Sequence, residues 1–260
     1  MKVVILAGGL GTRLSEETIT KPKPMVEVGD YPILWHIMKI YSHYGYIDFI
    51  LLCGYKANMI KSYFTNFYIN NADITVDLST NKIDILKNKS ENWKVTILNT
   101  GVDTLTGSRL KIAKDYILDD KDDSFMVTYG DGVSDVNINS LIEFHRKSNK
   151  TATLTAVQPM GRFGTLSLDD SDTVNHFIEK QAGDGGWVNG GFFVFNKNVF
   201  DYIPDTNVML EDDPLLDLVK NKQLAAYKHT GFWKPMDTLR DNHELNKMWA
   251  SGRAPWKIWK

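Results

Sequence analysis

A short apolar strand that runs straight into glycines narrows the possible folds of this chain more than any other feature. Val3-Val4-Ile5-Leu6 is β-branched and apolar, and Ala7 leads at once into Gly8-Gly9-Leu10-Gly11-Thr12-Arg13-Leu14. Such a run, stopped by turn formers, reads as a buried strand opening an α/β domain. Backbone amides in a glycine turn at that place can point outward and cradle phosphate oxygens with no side chain in the way. Two nucleotide loops are excluded by residue: Gly11 is followed by Thr12-Arg13 rather than Lys-Ser/Thr, and no third glycine falls at the dinucleotide spacing. Taken alone, the turn points to a nucleotide, with an ordinary strand-to-helix connection as its plain alternative. Downstream, Lys21-Pro22-Lys23-Pro24-Met25 holds two lysines in a segment that its prolines predict to be extended and stiff. Arg13 and Lys23 thereby bring positive charge to the glycines.

The rest of the chain continues the alternation. Ile33, Ile37, Ile40, Tyr41 and Tyr44 recur at helical spacing and stop at Gly45; Phe49 to Cys53 is a second buried strand; Ala57 to Tyr68 is helical again. This order predicts a mainly parallel sheet with right-handed crossovers, flanked by helices. Ile74-Thr75-Val76, Ile83-Asp84-Ile85 and Val95-Thr96-Ile97 are short strands or hairpins on the way to a helix over Arg109–Ile117. Asp119 to Asp123 closes that helix as a solvated turn, and Phe125 to Tyr129 is a strand that delivers Gly130-Asp131-Gly132. A helix near Asn139–Lys147, a β-rich stretch from Thr151 to Phe195 and a last strand near Leu224–Tyr227 complete one unit without repeats or linkers.

Composition limits the partners. Lys plus Arg (30) nearly cancels Asp plus Glu (32), so no basic face is expected to hold nucleic acid or an anionic membrane, and any anion must be held locally. Cys53, the one cysteine, lies in an apolar run and reads as a small buried hydrophobe in a reducing compartment. Gly8-Gly9 cuts the apolar N-terminus too short for a signal segment, and no stretch can span a bilayer, so a cytoplasmic protein is expected.

The run Gly-Gly-Leu-Gly-Thr-Arg-Leu followed by Lys-Pro-Lys-Pro-Met resembles the signature of the sugar-1-phosphate nucleotidyltransferases. Ser15-Glu16-Glu17-Thr18, in place of a proline-containing stretch, is similar to the glucose-1-phosphate cytidylyltransferases among them. The likeness continues through Ile33 to Lys39, Tyr129 to Gly132, Gly161-Arg162-Phe163-Gly164, Asn189 to Phe193, Gly231-Phe232-Trp233 and Ala254-Pro255-Trp256-Lys257. It implies a Rossmann-like, glycosyltransferase-A type α/β sheet. The nucleotide-binding part would cover about 1–135, and a β-rich sugar-binding and oligomerisation part about 136–260. The implied reaction joins CTP and glucose 1-phosphate into CDP-glucose and pyrophosphate, feeding dideoxyhexoses for a bacterial surface polysaccharide. Relatives are often hexamers or tetramers.

Asp131 stands where open α/β sheets bind ligands, between two glycines, and a turn-forming role is its plain alternative. The resemblance implies that Asp131 and Asp237 hold Mg²⁺, although Asp237 taken alone could equally cap the helix beginning at Leu239. It further implies catalytic roles for Arg13, Lys23 and Asp131. Nucleotide contacts are implied from Leu6, Ala7, Gly8, Gly9, Leu10, Gly11, Thr12, Arg13, Lys23, Thr104, Arg109 and Gly130. Without the resemblance, Arg109 reads as an exposed first-turn residue. Glu179 and Lys180 can meet sugar hydroxyls and the sugar phosphate, with Gln181 where the family has proline; Asn189 and Gly190 would contact the hexose. Trp233, Trp249, Trp256 and Trp259 read as packing, the C-terminal ones with a possible subunit contact. No nucleophile motif occurs, and none is needed, because the sugar phosphate is already ionised. The competing readings are the same transfer with dTTP or UTP, a non-catalytic sugar-nucleotide sensor, and a dehydrogenase.

Overall fold

In the computed structural model, which describes residues 1–9, 11, 18–88, 90–118, 122–159, 165–168, 173–178 and 186–259, the first apolar run becomes β1 (Val3–Ala7). β1 is parallel to β4 (Asp48–Cys53) on one side and to β8 (Ser124–Tyr129) on the other, and β7 (Lys94–Asn99) extends the parallel block beyond β4. On the opposite flank β14 (Phe193–Asn196) runs antiparallel to β8 and to β10 (Ala152–Val157). β10 also carries β13 (Val188–Asn189) antiparallel and β15 (Leu224–His229) parallel. The mainly parallel sheet expected from the βαβα order is therefore present, with β13 and β14 running antiparallel to it.

Strand alternation divides the core into two layers. Val3, Ile5, Ala7, Phe49, Leu51 and Cys53 pack on one face, against α1 (Ile33–His43), α5 (Ile138–Ser148) and α7 (Leu239–Ala250). Val4, Leu6, Ile50, Leu52, Phe125 and Val127 pack on the other, against α3 (Thr106–Ile112), α4 (Lys114–Ile117) and α6 (Asp213–Lys220). Continuous apolar runs are what strands buried on both faces require. Cys53 is fully buried, and burial pushes its thiol up to about 12, so it is an inert core residue.

α1 ends at Tyr44 and Gly45, where the backbone turns left-handed at φ 86 and Tyr46 N–H donates to Tyr41 O at 3.2 Å. α2 (Ala57–Asn70) follows β4. β5 (Ala72–Asp77) and β6 (Lys82–Asn88) form a separate two-stranded ribbon among the described residues, whereas β7 joins the main sheet. The single helix expected over 109–117 is two: Ala113 interrupts it, its N–H shared among the carbonyls of Arg109, Leu110 and Lys111. Of the acidic turn, Asp122 pairs with the Met1 ammonium at 2.6 Å, and 119–121 lie outside the described residues. β2 (Glu27–Val28) with β3 (Tyr31–Pro32), β9 (Gly132–Ser134) with β16 (Trp233–Pro235), and β11 (Thr165–Leu168) with β12 (Val174–Ile178) form small ribbons. Among the described residues no helix is long and apolar enough to cross a membrane.

Candidate active site

Because β1 and β8 are parallel neighbours with Leu6 opposite Tyr129, the glycine turn and Gly130-Asp131-Gly132 leave the sheet side by side at its carboxyl edge. Gly130 N–H donates to Leu6 O at 3.0 Å and fixes that spacing. The second acid arrives by a separate ribbon. β9 and β16 are antiparallel with Gly132 opposite Pro235, and Met236 N–H donates to Asp131 O at 2.8 Å. Antiparallel pairing thus sets the residue before Gly132 next to those after Pro235, which brings Asp237 to Asp131. Asp237 is not the cap of α7: Thr238 is, its side chain accepting from Asp241 N–H while Asp241 bonds back to Thr238 N–H.

Lys23 joins the two acids. Its Nζ lies 2.6 Å from Asp131 Oδ2 and 2.6 Å from Asp237 Oδ1, with the lysine side chain only 12% exposed. Burial pulls the lysine down, but the charge and hydrogen bonds of Asp131 and Asp237 outweigh it and hold the ammonium above its usual value. The segment that delivers it is not extended throughout. Pro22 is extended, but Lys23–Met25 forms a 3₁₀ turn with Met25 N–H donating to Pro22 O at 2.8 Å, since the φ that proline fixes suits both conformations.

Two carboxylates converging on one ammonium define a position for a cation. Among the described residues no group of three or more His, Cys, Asp or Glu is gathered to hold a metal, and the acids that converge here are two. A pair of hard oxygen donors, with other positions left to water and phosphate, is what Mg²⁺ accepts. The donor set fits.

Arg109 is the main departure from the plain reading of the sequence. It is buried, not exposed, because α3 turns it inward beneath the glycine turn. One guanidinium nitrogen donates to Cys53 O, Thr100 Oγ1 and Gly101 O at 3.1, 2.6 and 2.7 Å; the other donates to Gly8 O and Val102 O at 3.1 and 3.2 Å. A Cβ built on Gly8 would lie 2.2 Å from the guanidinium carbon, so only glycine lets the arginine come this close. Thr104 Oγ1 donates to Thr100 O at 2.6 Å beside the same acceptors. Ser108 Oγ donates to Thr206 O at 3.1 Å and accepts Val208 N–H at 2.8 Å, binding α3 to the loop before α6.

On the other side of Asp131 a cleft is lined by Tyr129, Asp131, Gly190, Trp233 and Asp237. Asn189 Nδ2 donates to the Tyr129 hydroxyl at 3.1 Å, and Trp233 Nε1 donates to Gly190 O at 2.8 Å. The Tyr129 hydroxyl donates to Glu211, whose other oxygen accepts from Thr106 Oγ1 at 2.7 Å. Sequence reasoning passed over Glu211: it stands in the acidic string Glu211-Asp212-Asp213 before a helix, and nothing local links it to a tyrosine 82 positions away. Leu10, Thr12, Arg13, Glu179 and Lys180 lie outside the described residues. The structure therefore brings Lys23, Asp131 and Asp237 into direct contact and places Arg109 under Gly8. Asn189 and Gly190 stand across the cleft.

The chain is 51% identical over its full 260 residues to a glucose-1-phosphate cytidylyltransferase of Salmonella typhi, covering all of that protein. It is 48% identical, again over both full lengths, to a probable glucose-1-phosphate cytidylyltransferase of Bacillus subtilis. The solved structure of HddC from Yersinia pseudotuberculosis superposes with a TM-score of 0.67 at 26% identity, over 95% of this chain and 99% of that one. Residues 2–250 match the Nucleotidyl transferase family as a whole, and with that match spanning both the strand that opens the glycine turn and the ribbon that carries Asp237, this chain belongs to that family.

Proposed function

We propose that this chain is a glucose-1-phosphate cytidylyltransferase, which transfers the cytidylyl group of CTP to glucose 1-phosphate and releases CDP-glucose and pyrophosphate. The observation that carries nucleotidyl transfer is the convergence of Asp131 and Asp237 on the Lys23 ammonium beside the glycine turn. Full-length identity to cytidylyltransferases from two bacteria supports CTP and glucose 1-phosphate as the pair.

The reaction sets two anions against each other. An oxygen of the sugar phosphate attacks the α-phosphorus of CTP, a new P–O bond forms, and the bond to the bridging oxygen of pyrophosphate breaks in line. No protein nucleophile or strong base is required, so the protein contributes positioning and charge. Mg²⁺, held by Asp131 and Asp237, supplies Lewis-acid stabilisation of phosphate oxygens when bound. Lys23 brings an ammonium to the same place, and Arg13 is assigned a second cation by resemblance. Arg109 answers to carbonyl and hydroxyl oxygens, so its charge leaves a positive field behind the amides of Gly8 and Gly9 that favours a triphosphate there. Leu6 to Gly9, Gly11 and Gly130 are assigned backbone contacts to the nucleotide, with Leu10 and Thr12 assigned to it by resemblance, and Thr104 is assigned to that side. Glu179, Lys180, Asn189 and Gly190 are assigned to glucose 1-phosphate.

Pyrophosphate release measured with CTP, dTTP and UTP in turn, each with glucose 1-phosphate and with or without chelator, tests the reading. CTP is expected to be the preferred donor, with release abolished by chelation. Equal rates with dTTP or UTP would overturn the base assignment, and no release with any donor would sink the enzyme. A sensor reading is disfavoured because Lys23 and both acids are retained. Action in the cytosol is part of the proposal and agrees with the lone buried Cys53. So is self-association into a tetramer or hexamer, for which the exposed Val76, Leu78, Ile83 and Leu86 of the β5–β6 hairpin offer apolar surface; light scattering tests it.

A further inference from the structure

Glu211 belongs to no site residue assigned so far, yet it sits directly behind the sugar side of the cleft. One carboxylate oxygen accepts from Thr106 Oγ1 at 2.7 Å, and Thr106 Oγ1 in turn accepts Leu210 N–H at 2.8 Å. The other oxygen accepts from the Tyr129 hydroxyl. That hydroxyl accepts from Asn189 Nδ2 at 3.1 Å, and Asn189 Oδ1 accepts Gly191 N–H at 3.0 Å.

Proton bookkeeping gives this chain a direction. A carboxylate only accepts, so both Thr106 and Tyr129 must spend their hydroxyl protons on Glu211. With its proton committed, the Tyr129 oxygen can only accept, and the facing group of Asn189 must be its NH₂. Gly191 N–H holds the amide oxygen from the other side. The Asn189 amide cannot flip without setting its oxygen against the Tyr129 lone pairs and its NH₂ against the Gly191 donor.

We infer that Glu211 is a positioning residue for sugar recognition: acting through the Tyr129 hydroxyl, it fixes which way the Asn189 amide faces the hexose. This rests on the assignment of Asn189 to glucose 1-phosphate made above. The amide keeps one N–H and one oxygen lone pair for sugar hydroxyls, in one orientation only. Since an amide presented backwards offers a donor to a donor, the fixed orientation contributes to selectivity among hexose phosphates. Thr106 lies at the first turn of α3, the helix that carries Arg109, so the same carboxylate is anchored from the nucleotide side.

The test is steady-state kinetics of Glu211→Gln, Tyr129→Phe and the double variant, with CTP and glucose 1-phosphate varied separately and thermal melts in parallel. Glu211→Gln is expected to raise KM for glucose 1-phosphate about tenfold while KM for CTP and kcat stay within about twofold. Tyr129→Phe, which removes a single oxygen, should do the same. The double variant should be no worse than either, because all three cut one relay. Discrimination between glucose 1-phosphate and its monodeoxy analogues should narrow in step. Unchanged KM for glucose 1-phosphate in both single variants, an equal rise for CTP, or additive losses in the double variant would overturn the inference. If Glu211→Gln does not fold, Tyr129→Phe decides by the same criteria. A wild type that releases no pyrophosphate from CTP and glucose 1-phosphate would instead remove the reading beneath it.

Discussion

The cleft at the carboxyl edge of β1 and β8 and the aromatic cluster under α1 use the same kinds of atoms in opposite ways. In the cleft, charges hold one another: Lys23 sits between two acids at 2.6 Å, in the place proposed above for a metal and phosphates. In the cluster, rings close on rings. His36 meets Trp249 edge-on at 4.6 Å, Trp35 meets Trp259 edge-on at 5.7 Å, and Trp249 stacks on Trp256 at 6.4 Å. Trp256 Nε1 donates to His36 Nδ1 at 3.3 Å, and His36 Nε2 donates to Val28 O at 2.8 Å, so the polar atoms of that pair face inward. The contrast teaches a division of labour: the cleft keeps partners that a substrate can replace, whereas the cluster uses its own to fasten the C-terminus to the first helix. Substitutions in the first should cost activity, and in the second stability.

The sharpest attempt to break this division is Asp131→Asn. Loss of a carboxylate from a two-acid cation site is expected to lower kcat about a thousandfold or more. The side chain is partly exposed and keeps its shape, so the melting midpoint should stay within about 4 °C of wild type. Pyrophosphate release and a thermal melt on the same preparation check both halves; a large fall in melting temperature would show that the acid pair is structural as well.

Trp256→Ala probes the other region. The indole is fully buried between His36, Phe232 and Trp249, and removing it should cost about 3–5 kcal/mol in a denaturant titration. Turnover per folded molecule should be unchanged. A kcat that falls with stability intact would place the cluster in the chemistry and end the comparison.

Gly8→Ala falls between the two. Its Cβ would collide with the Arg109 guanidinium, which has no flexible route out of its five bonds, so the turn must shift. KM for CTP is expected to rise roughly 30-fold, equivalent to about 2 kcal/mol, with KM for glucose 1-phosphate far less affected. An equal rise for both substrates would mean that the glycine turn does not separate nucleotide from sugar.

What the sequence disclosed follows the same line between local and distant causes. β1, β4, β8 and α1 were legible because apolar periodicity and Gly45 act within a few residues. The two acids were legible one by one, Asp131 from its glycines at a strand end and Asp237 from the family likeness. Their meeting was legible only through that likeness and from no local pattern, because it depends on the register of the β9–β16 ribbon, which pairs residues far apart in the chain. Arg109 was misread as exposed on its own pattern because the first turn of α3 carries no apolar mark on that face; what buries it is a ring of carbonyls from three other segments. Glu211 was hidden for the same reason. The hydrogen-bond partners that make these residues matter are set by tertiary packing, which no local periodicity records.

The smallest expected effect tests whether the aromatic cluster is as closed as its geometry implies. The neutral His36 ring with its proton on Nε2 satisfies both neighbours, donating to Val28 O and accepting from Trp256; a second proton on Nδ1 would face the indole N–H. Burial lowers its pKa from the usual 6.5 to about 4, against the opposing backbone bonds to Val28 and Tyr31. Above pH 6.5 the ring is neutral folded and unfolded, and it adds no pH dependence. Between 6.5 and 4 only the unfolded chain takes up the proton, so stability falls as pH falls, and below 4 the loss stops growing. At pH 5.5 the histidine accounts for about 1.5 kcal/mol. Urea titrations of wild type and His36→Gln at pH 7.5 and 5.5 isolate it from the carboxylates: wild type should lose more between the two pH values than the variant, by about that amount. An identical loss in both would mean that His36 takes up its proton in the folded protein, and that the cluster is open to water after all.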